Sequence, residues 1–550
     1  MALLIFAAGA VLGQLGVATA ALCPAKCRAA DNSEWPCRYY DDNCTVNPTA
    51  SSHRGDSPID INVAAINPYS GGLGDLMTMV EPSIAQAIQD IEDSNLLPGY
   101  RLKVHLVDSK CSVPDATLAA QATCSTGPTK HVLLSDSCSA ACAAVNDAAR
   151  FFKVLQVGPG CVSARLRDSE RYPFFTRMAP STYYNVLAIF ELMKFLSFKR
   201  IGVVHGYRDI NHAARDLFLD LVEKDLHNGA YSWVLLTTLS VKTLDDAKLA
   251  AKEIRHHDSR INFMALYELE GAMVLCQAYK DGMQPPDYNF FVASGWWNAQ
   301  FLQLTANSES CPCTSQELYR ASYGLIAADR GPMLRSTQVH SLSGRPLQDI
   351  YDEYTVKCEA FGNGIGACNH QWAGYFYDGM WLIAKVLDTY FVQHNKSLSD
   401  LGTEESRQAL YDLSLGVDFY GQTGRVRQWQ SQTQLDRDGI ILLRQVTGTV
   451  DNAFTELAYR TSEGFQFQAN ILWTADGEEG DLQRCILRDE YFVDSLGWCG
   501  PMRSGRSLVQ SAWLQSMQCW NLFIGWAWCL PVLPLWFLRQ RVWNGRVFSL

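Results

Sequence analysis

The sequence predicts an α/β protein built as two doubly wound lobes, and three observations predict it. Apolar strand-like runs alternate with amphipathic helical runs from Ile59 to Val157, and the alternation resumes at Thr182. The third observation is Asp258–Gln300, which reads as one complete strand, helix, strand unit. Within it Ile261–Tyr267 and Tyr288–Ser294 are short apolar runs, and Glu270–Asp281 carries apolar residues at helical spacing. Two buried strands joined by a crossover helix lie parallel, and ligands of open α/β sheets sit beyond the carboxyl ends of such strands. Tyr267 and Trp296 close those two ends, so both aromatics are expected at one crevice.

In chain order, Met1–Ala20 is apolar and ends in Ala18-Thr19-Ala20, the small-x-small pattern of a signal-peptidase site, with a retained anchor helix as the alternative. A Cys-rich segment occupies 21–56. Strands follow at Ile59–Ile66, Tyr100–Val107 and Val154–Val157, with helices at Leu76–Asp93 and Ser139–Phe152. Thr182–Leu196 is an amphipathic helix and Arg200–His205 the strand after it, where the chain enters the second lobe. Lobe one is expected to comprise 57–181 and 330–415, and lobe two 182–329 and 416–475, with the crossings forming a hinge. A Cys-containing linker, 476–518, precedes Cys519–Leu538, a charge-free stretch followed by Arg539, Arg541 and Arg546. That pattern fits a single membrane span with a positive cytoplasmic end; a buried hydrophobic terminus or an altered gene end is the alternative.

The chain has 550 residues, so it can bury two large cores. With 46 Lys+Arg against 57 Asp+Glu its net charge is −11, which opposes nucleic acid or an anionic surface as a partner. Eighteen cysteines fit an oxidising compartment. Cys23, Cys27, Cys37 and Cys44 fit a zinc knuckle or two disulfides, of which a secreted chain favours the second. Cys358 with Cys368, Cys485 with Cys499, and Cys124 with Cys142 are further candidate pairs, while Cys161 and Cys311 are left without a partner. Asn43-Cys44-Thr45 and Asn395-Lys396-Ser397 are glycosylation sequons.

Several motifs in order carry a family resemblance: Ser70-Gly71-Gly72, Leu97-Pro98-Gly99-Tyr100, Asp108-Ser109-Lys110-Cys111, Cys138-Ser139, Arg171-Tyr172-Pro173-Phe174-Phe175 with Arg177, Tyr267-Glu268, Cys276-x-x-Tyr279-Lys280 and Gly295-Trp296. Over 59–300, and more patchily to about 470 through Tyr377-Asp378, Trp381 and Gly421-x-x-Gly424, the chain resembles the Venus-flytrap ligand-binding domain of class C receptors, most closely the metabotropic GABA (GABA-B) receptor subunits. The resemblance implies a type I periplasmic-binding-protein-like fold that closes on an amino-acid-like or carboxylate ligand. It also implies disulfides Cys111–Cys138 and Cys276–Cys313, a homo- or heterodimer through lobe one, and a location on the extracellular side of the plasma membrane or in the secreted fraction. A complete class C receptor has seven spans and a cytoplasmic tail; this sequence does not show that set, so the expectation is a binding module that does not signal alone.

For the ligand, Ser139 opens a helix, where its hydroxyl and nearby N–H groups could hold a carboxylate; a simple N-cap is the other reading. Tyr267 and Trp296 align with the family's lobe-two ligand contacts. Elsewhere the sequence departs: Leu73 stands for a lobe-one tryptophan, Val162 for a second serine with Ser163 adjacent, Ala179 for a histidine, and Trp372 for the glutamate that would pair an ammonium. A desolvated site lacking those donors loses about 2–5 kcal/mol for a ligand that needs them, so GABA itself fits poorly. A more apolar carboxylate, or an empty crevice in a partner or decoy module, remains open. No cofactor is expected. HExxH, P-loop and GxSxG motifs do not occur; Gly362-x-Gly364-x-Gly366 lacks the dinucleotide spacing, His256-His257-Asp258 reads as a solvated helix end, and Arg54-Gly55-Asp56 as a chance adhesion tripeptide.

Overall fold

The computed structural model describes residues 58–70, 80–94, 96–294, 297, 301–360, 370–431, 433–437, 439–461, 464–469 and 471–472, with the backbone of 45–46. The leader, the cysteines before Cys111, the Arg54-Gly55-Asp56 tripeptide, Gly362–Gly366, Cys368 and everything from 473 on, including Cys485, Cys499 and the 519–538 stretch, lie outside those residues.

The first lobe carries a six-stranded sheet ordered Thr45–Val46, Tyr100–Asp108, Ile59–Asn67, Val132–Ser135, Leu155–Gly158, Phe175–Arg177. Thr45–Val46 pairs antiparallel and the other neighbours are parallel. Successive residues of the central strand serve opposite faces: Ile61, Val63 and Ala65 join one core cluster, and Ala64 and Ile66 another. Burial on both faces explains why the strand reads as an unbroken apolar run. Helix His370–Asp388 fills the larger cluster with Phe376, Tyr377 and Trp381. Among the elements not expected are the four-residue strand Val132–Ser135 and helix Val113–Ser125, whose buried face is made of Ala116, Ala120 and Thr123 and gives little apolar periodicity. Ser112 starts that helix by accepting the Asp115 N–H, with a proline in the first turn.

The second lobe carries eight strands in the order Gly464–Phe467, Phe454–Thr461, Ile441–Val446, Ile326–Arg330, Asn289–Ser294, Ile261–Ala265, Arg200–Gly206, Val234–Val241. The five from Ile326–Arg330 to Val234–Val241 are parallel; the three at the other end are antiparallel. The same alternation splits its core, with Val204, Met264 and Val292 on one face and Val203, Phe263 and Phe291 on the other.

A three-stranded antiparallel sheet, Asp418–Gly421, Gly424–Gln430, Leu435–Arg437, belongs with the first lobe, because Val417, Phe419 and Val426 pack into its main cluster. The chain therefore passes to the second sheet between Arg437 and Ile441, later than the expected residue 416. Here the Tyr377-Asp378 and Gly421-x-x-Gly424 motifs meet. The Asp378 carboxylate accepts the N–H groups of Gln422 and Thr423 at 2.7 and 2.9 Å. A Cβ on Gly421 would lie 2.2 Å from Asp378 Oδ1, and Gly424 turns at φ +90°. Tyr377 donates to Asp90, which also pairs with Arg345, both at 2.6 Å.

The crossings are locked by a buried ionic node. Asp436 Oδ2 lies 2.9 Å from Arg167 Nε and accepts the Ser181 hydroxyl at 2.5 Å, while Oδ1 faces Arg177 Nε at 3.5 Å. Gly439 runs against Pro180, where a Cβ would come within 2.1 Å of the ring.

Cys111 is joined to Cys138, and Cys276 to Cys313. The expected Cys124–Cys142 pairing is corrected: Cys142 is bonded to Cys161 across a Cα separation of 6.0 Å. Cys142 lies on the sheet-facing side of helix Ser139–Phe152, over strand Leu155–Gly158, and the loop after that strand delivers Cys161. Cys124 sits half-buried on another helix as a free thiol, pushed up to about 11 by burial, and Cys311 is a buried free thiol. Cys358 is disulfide-bonded. Among the described residues no helix is long and apolar enough to cross a membrane. His256 and His257 end a helix, and Asp258 is taken by Arg260 and Tyr288. Asn395 of the second sequon is exposed.

Candidate functional site

The parallel part of each lobe's large sheet reverses its strand order once, and ligands of such sheets sit beyond the strand ends at the reversal. In the first lobe the reversal is at Ile59–Asn67, flanked by Tyr100–Asp108 and Val132–Ser135. Beyond the carboxyl ends lie Asn67, Ser70, Asp108, Ser109 and Asp136. In the second it is at Arg200–Gly206, flanked by Val234–Val241 and Ile261–Ala265, and beyond those ends lie Tyr207, Arg208 and Tyr267.

Ser139 is the first residue of its helix; Cys138 is the N-cap and makes no side-chain cap. Just before the helix, the fully buried Asp136 carboxylate accepts the N–H groups of Ser137 and Cys138 at 2.5 and 2.9 Å. Burial pushes the Asp136 carboxyl up to about 6, against the hydrogen bonds that favour its charge. The Ser139 hydroxyl accepts the Ser163 N–H at 3.0 Å. Ser163 in turn caps a short 3₁₀ turn at Arg165, and its carbonyl receives Arg177 at 3.3 Å. Val162 faces the first-lobe core, and its carbonyl accepts from Thr182. Ser163, then, is the partner that the structure brings to Ser139.

Tyr267 is half-buried at the start of helix Glu268–Lys280. The Arg208 guanidinium lies 4.7 Å from its ring centroid and 4.6 Å from that of Tyr207. Arg208 Nη1 also donates to the buried Glu270 at 2.5 Å. Burial raises the Tyr267 phenol, and the charges of Arg208 and Arg330 pull it back. Trp372 is buried on helix His370–Asp388, 5.6 Å beneath the Arg330 guanidinium and beside Tyr375. Arg330 donates to the Pro180 carbonyl at 2.8 Å, and burial lowers its pKa. Arg330 thus connects Tyr267, the hinge and Trp372. Leu73 and Trp296 lie outside the described residues.

Arg208, Arg330 and Asp136 were missed from sequence. The rule that found Tyr267 would have found Arg208 as well, since both stand two residues past a strand of the same reversal. The lobes touch beside this crevice: Arg165 Nη1 lies 3.5 Å from Asp209, and Ile210 packs against the first-lobe core.

Residues 79–437 match the family described as receptor family ligand binding region. The chain is 25% identical over 362 residues to gamma-aminobutyric acid type B receptor subunit 2 of Homo sapiens, covering 63% of this chain and 36% of that protein. It is 26% identical over 348 residues to subunit 1 of Mus musculus, covering 63% and 34%. It is 21% identical over 373 residues to glutamate receptor 3.1 of Oryza sativa subsp. japonica, covering 63% and 36%. The matched stretch spans about a third of the length of these relatives.

Proposed function

The chain belongs to the receptor-family ligand binding regions, a receptor module and not an enzyme, and from that premise we propose that it binds a small carboxylate-bearing molecule in the crevice between its lobes, on the extracellular face of the membrane or in secreted form. The observation that carries the reading is the composition of the crevice wall. Arg208 stands against Tyr207 and Tyr267, and behind them the buried Arg330 lies over the buried Trp372, while Glu270, the buried acid beside Tyr267, is taken by Arg208. Aromatic faces with cations suit an apolar acid; an ammonium brought there finds no acid of its own and meets like charge. Binding would draw the lobes together, because a ligand held by both stabilises the state in which both touch it. Dimerisation through lobe one, as the resemblance implies, belongs to the same proposal.

A second reading, an empty partner or decoy module, is favoured by Leu73, Val162, Ala179 and Trp372 standing where the resemblance places ligand contacts. A thermal-shift and calorimetric screen of amino acids and small carboxylates separates the two. A ligand at a hundred times its dissociation constant adds about 2.7 kcal/mol of stability. Apolar acids should shift the melting curve more than GABA does, and Tyr267→Ala should remove the shift. Silence across the screen selects the empty module.

A further inference from the structure

We infer that Arg208 receives the carboxylate of the ligand, so that the anionic end faces the second lobe; this rests on the binding function proposed above and assigns its polarity. The usual place for an anion in such a lobe is the helix N-terminus after a sheet strand. In the first lobe that place stands beside a buried acid. The buried Asp136 carboxylate already holds the Ser137 and Cys138 N–H groups, the Cys142 N–H is spent on the Cys138 carbonyl at 2.8 Å, and the Ser139 hydroxyl is engaged by Ser163. A ligand carboxylate brought to the N–H groups of Ser139, Ala140 and Ala141 would meet the negative charge of Asp136 beside them.

The second lobe presents the opposite arrangement. Arg208 ends the loop at the strand-order reversal, immediately before helix Asp209–His227. Its guanidinium is clamped by the rings of Tyr207 and Tyr267 and pinned at Nη1 by Glu270, yet its side chain is 41% exposed. Among the described residues Nη1 is the only Arg208 nitrogen with a hydrogen bond. Nε and Nη2 therefore form a pre-oriented fork, the geometry that accepts a carboxylate in two parallel bonds. Asp209 and Ile210 touch the first lobe, which places this fork beside the junction of the lobes rather than on a remote face.

The test uses the full chain, with pentanoate, 3-phenylpropanoate and GABA as probes, each compared with the primary amide of its carboxyl group. Acids should bind in preference to amides. Arg208→Gln should weaken the acids by roughly 10- to 100-fold and shift the preference towards the amides, as the loss of a charge-assisted pair requires. Arg208→Lys keeps the charge against Glu270 and so guards against simple misfolding; it should give an intermediate loss, because a lysine lacks the fork. Acid binding that is unchanged in both variants overturns the inference, as does acid binding lost in Ser139→Ala but kept in Arg208→Gln. Silence of the unmodified chain towards every acid and amide overturns the binding function itself, and the inference with it.

Discussion

Replacing Asp436 by asparagine removes one charge from the centre of the hinge and leaves its shape. Asp436 is fully buried, and Arg177, which faces it at 3.5 Å, is 1% exposed. Burial already lowers the pKa of Arg177, and the Asp436 charge is the main force opposing that shift. Asparagine would also turn an amide NH₂ either towards Arg167 and the Ser181 hydroxyl, which now meet Oδ2 at 2.9 and 2.5 Å, or towards Arg177 and the N–H groups of Ser181 and Arg437 on the Oδ1 side. Breaking a buried ion pair from one side costs about 3–5 kcal/mol, a large part of the roughly 5–15 kcal/mol that holds a domain folded. At about 2–4 °C per kcal/mol for units of this size, the melting temperature should fall by about 6–20 °C. The assay is a melt followed by circular dichroism for Asp436→Asn, Arg177→Met and the double variant. The double variant should lose less than the sum of the singles, because neither of the two then leaves the other buried and uncompensated. A single variant melting within about 2 °C of the parent, or full additivity in the double, would refute the argument.

Three other outcomes follow from local geometry. Burial moves the Asp136 carboxyl from 3.8 to about 6, so the folded chain holds that proton more tightly than the unfolded chain does, and the group's contribution falls as pH rises through about 6. By neutral pH the cost approaches about 3 kcal/mol, so Asp136→Asn, which keeps an acceptor for Ser137 and Cys138, should raise the melting temperature near pH 7.5 and lose that advantage near pH 4; an advantage that grows on acidification contradicts this. Replacing both Cys142 and Cys161 by serine should cost about 2–5 kcal/mol in denaturant titration, and an unchanged midpoint would argue that the bond contributes nothing. Gly421→Ala drives a methyl into the Asp378 carboxylate and should destabilise by about 2–4 kcal/mol, whereas parent-like melting would mean that the turn yields freely.

The sheets were legible because parallel strands buried on both faces must be apolar throughout, so Ile261–Ala265 and Asn289–Ser294 announce themselves. Val132–Ser135 escaped because three apolar residues and a serine carry no period, and Val113–Ser125 because alanines pack without marking a stripe. The late crossing into the second lobe was hidden for another reason. Phe419 and Val426 alternate like residues of any half-buried strand, and only the folded chain shows which core they cover. Charged site residues were harder still, since a lone arginine reads as solvated surface. Arg208 finds Glu270 across 62 positions, and Asp436 finds Arg167 and Arg177 across far more.

The hinge and the crevice share one residue, and that sharing gives lobe movement a physical handle. Arg330 ends a strand of the second sheet, donates to Pro180 in the crossing, lies over Trp372 of a first-lobe helix, and acts on the Tyr267 phenol. Burial lowers its pKa despite the nearby charges of Asp329 and Asp436, so the ionised guanidinium is held there at a cost. A carboxylate entering beside Tyr267 adds the charge that offsets this cost, and it does so most strongly in whichever lobe arrangement brings Arg330 nearest. The ligand then favours that arrangement by its difference in interaction energy, which is the only means by which binding can move a hinge. Arg330→Met should accordingly leave part of the acid affinity in place through Arg208, while removing the ligand's effect on lobe spacing as read by small-angle scattering. A spacing change of parental size in that variant would separate the hinge from the crevice and end this account of coupling.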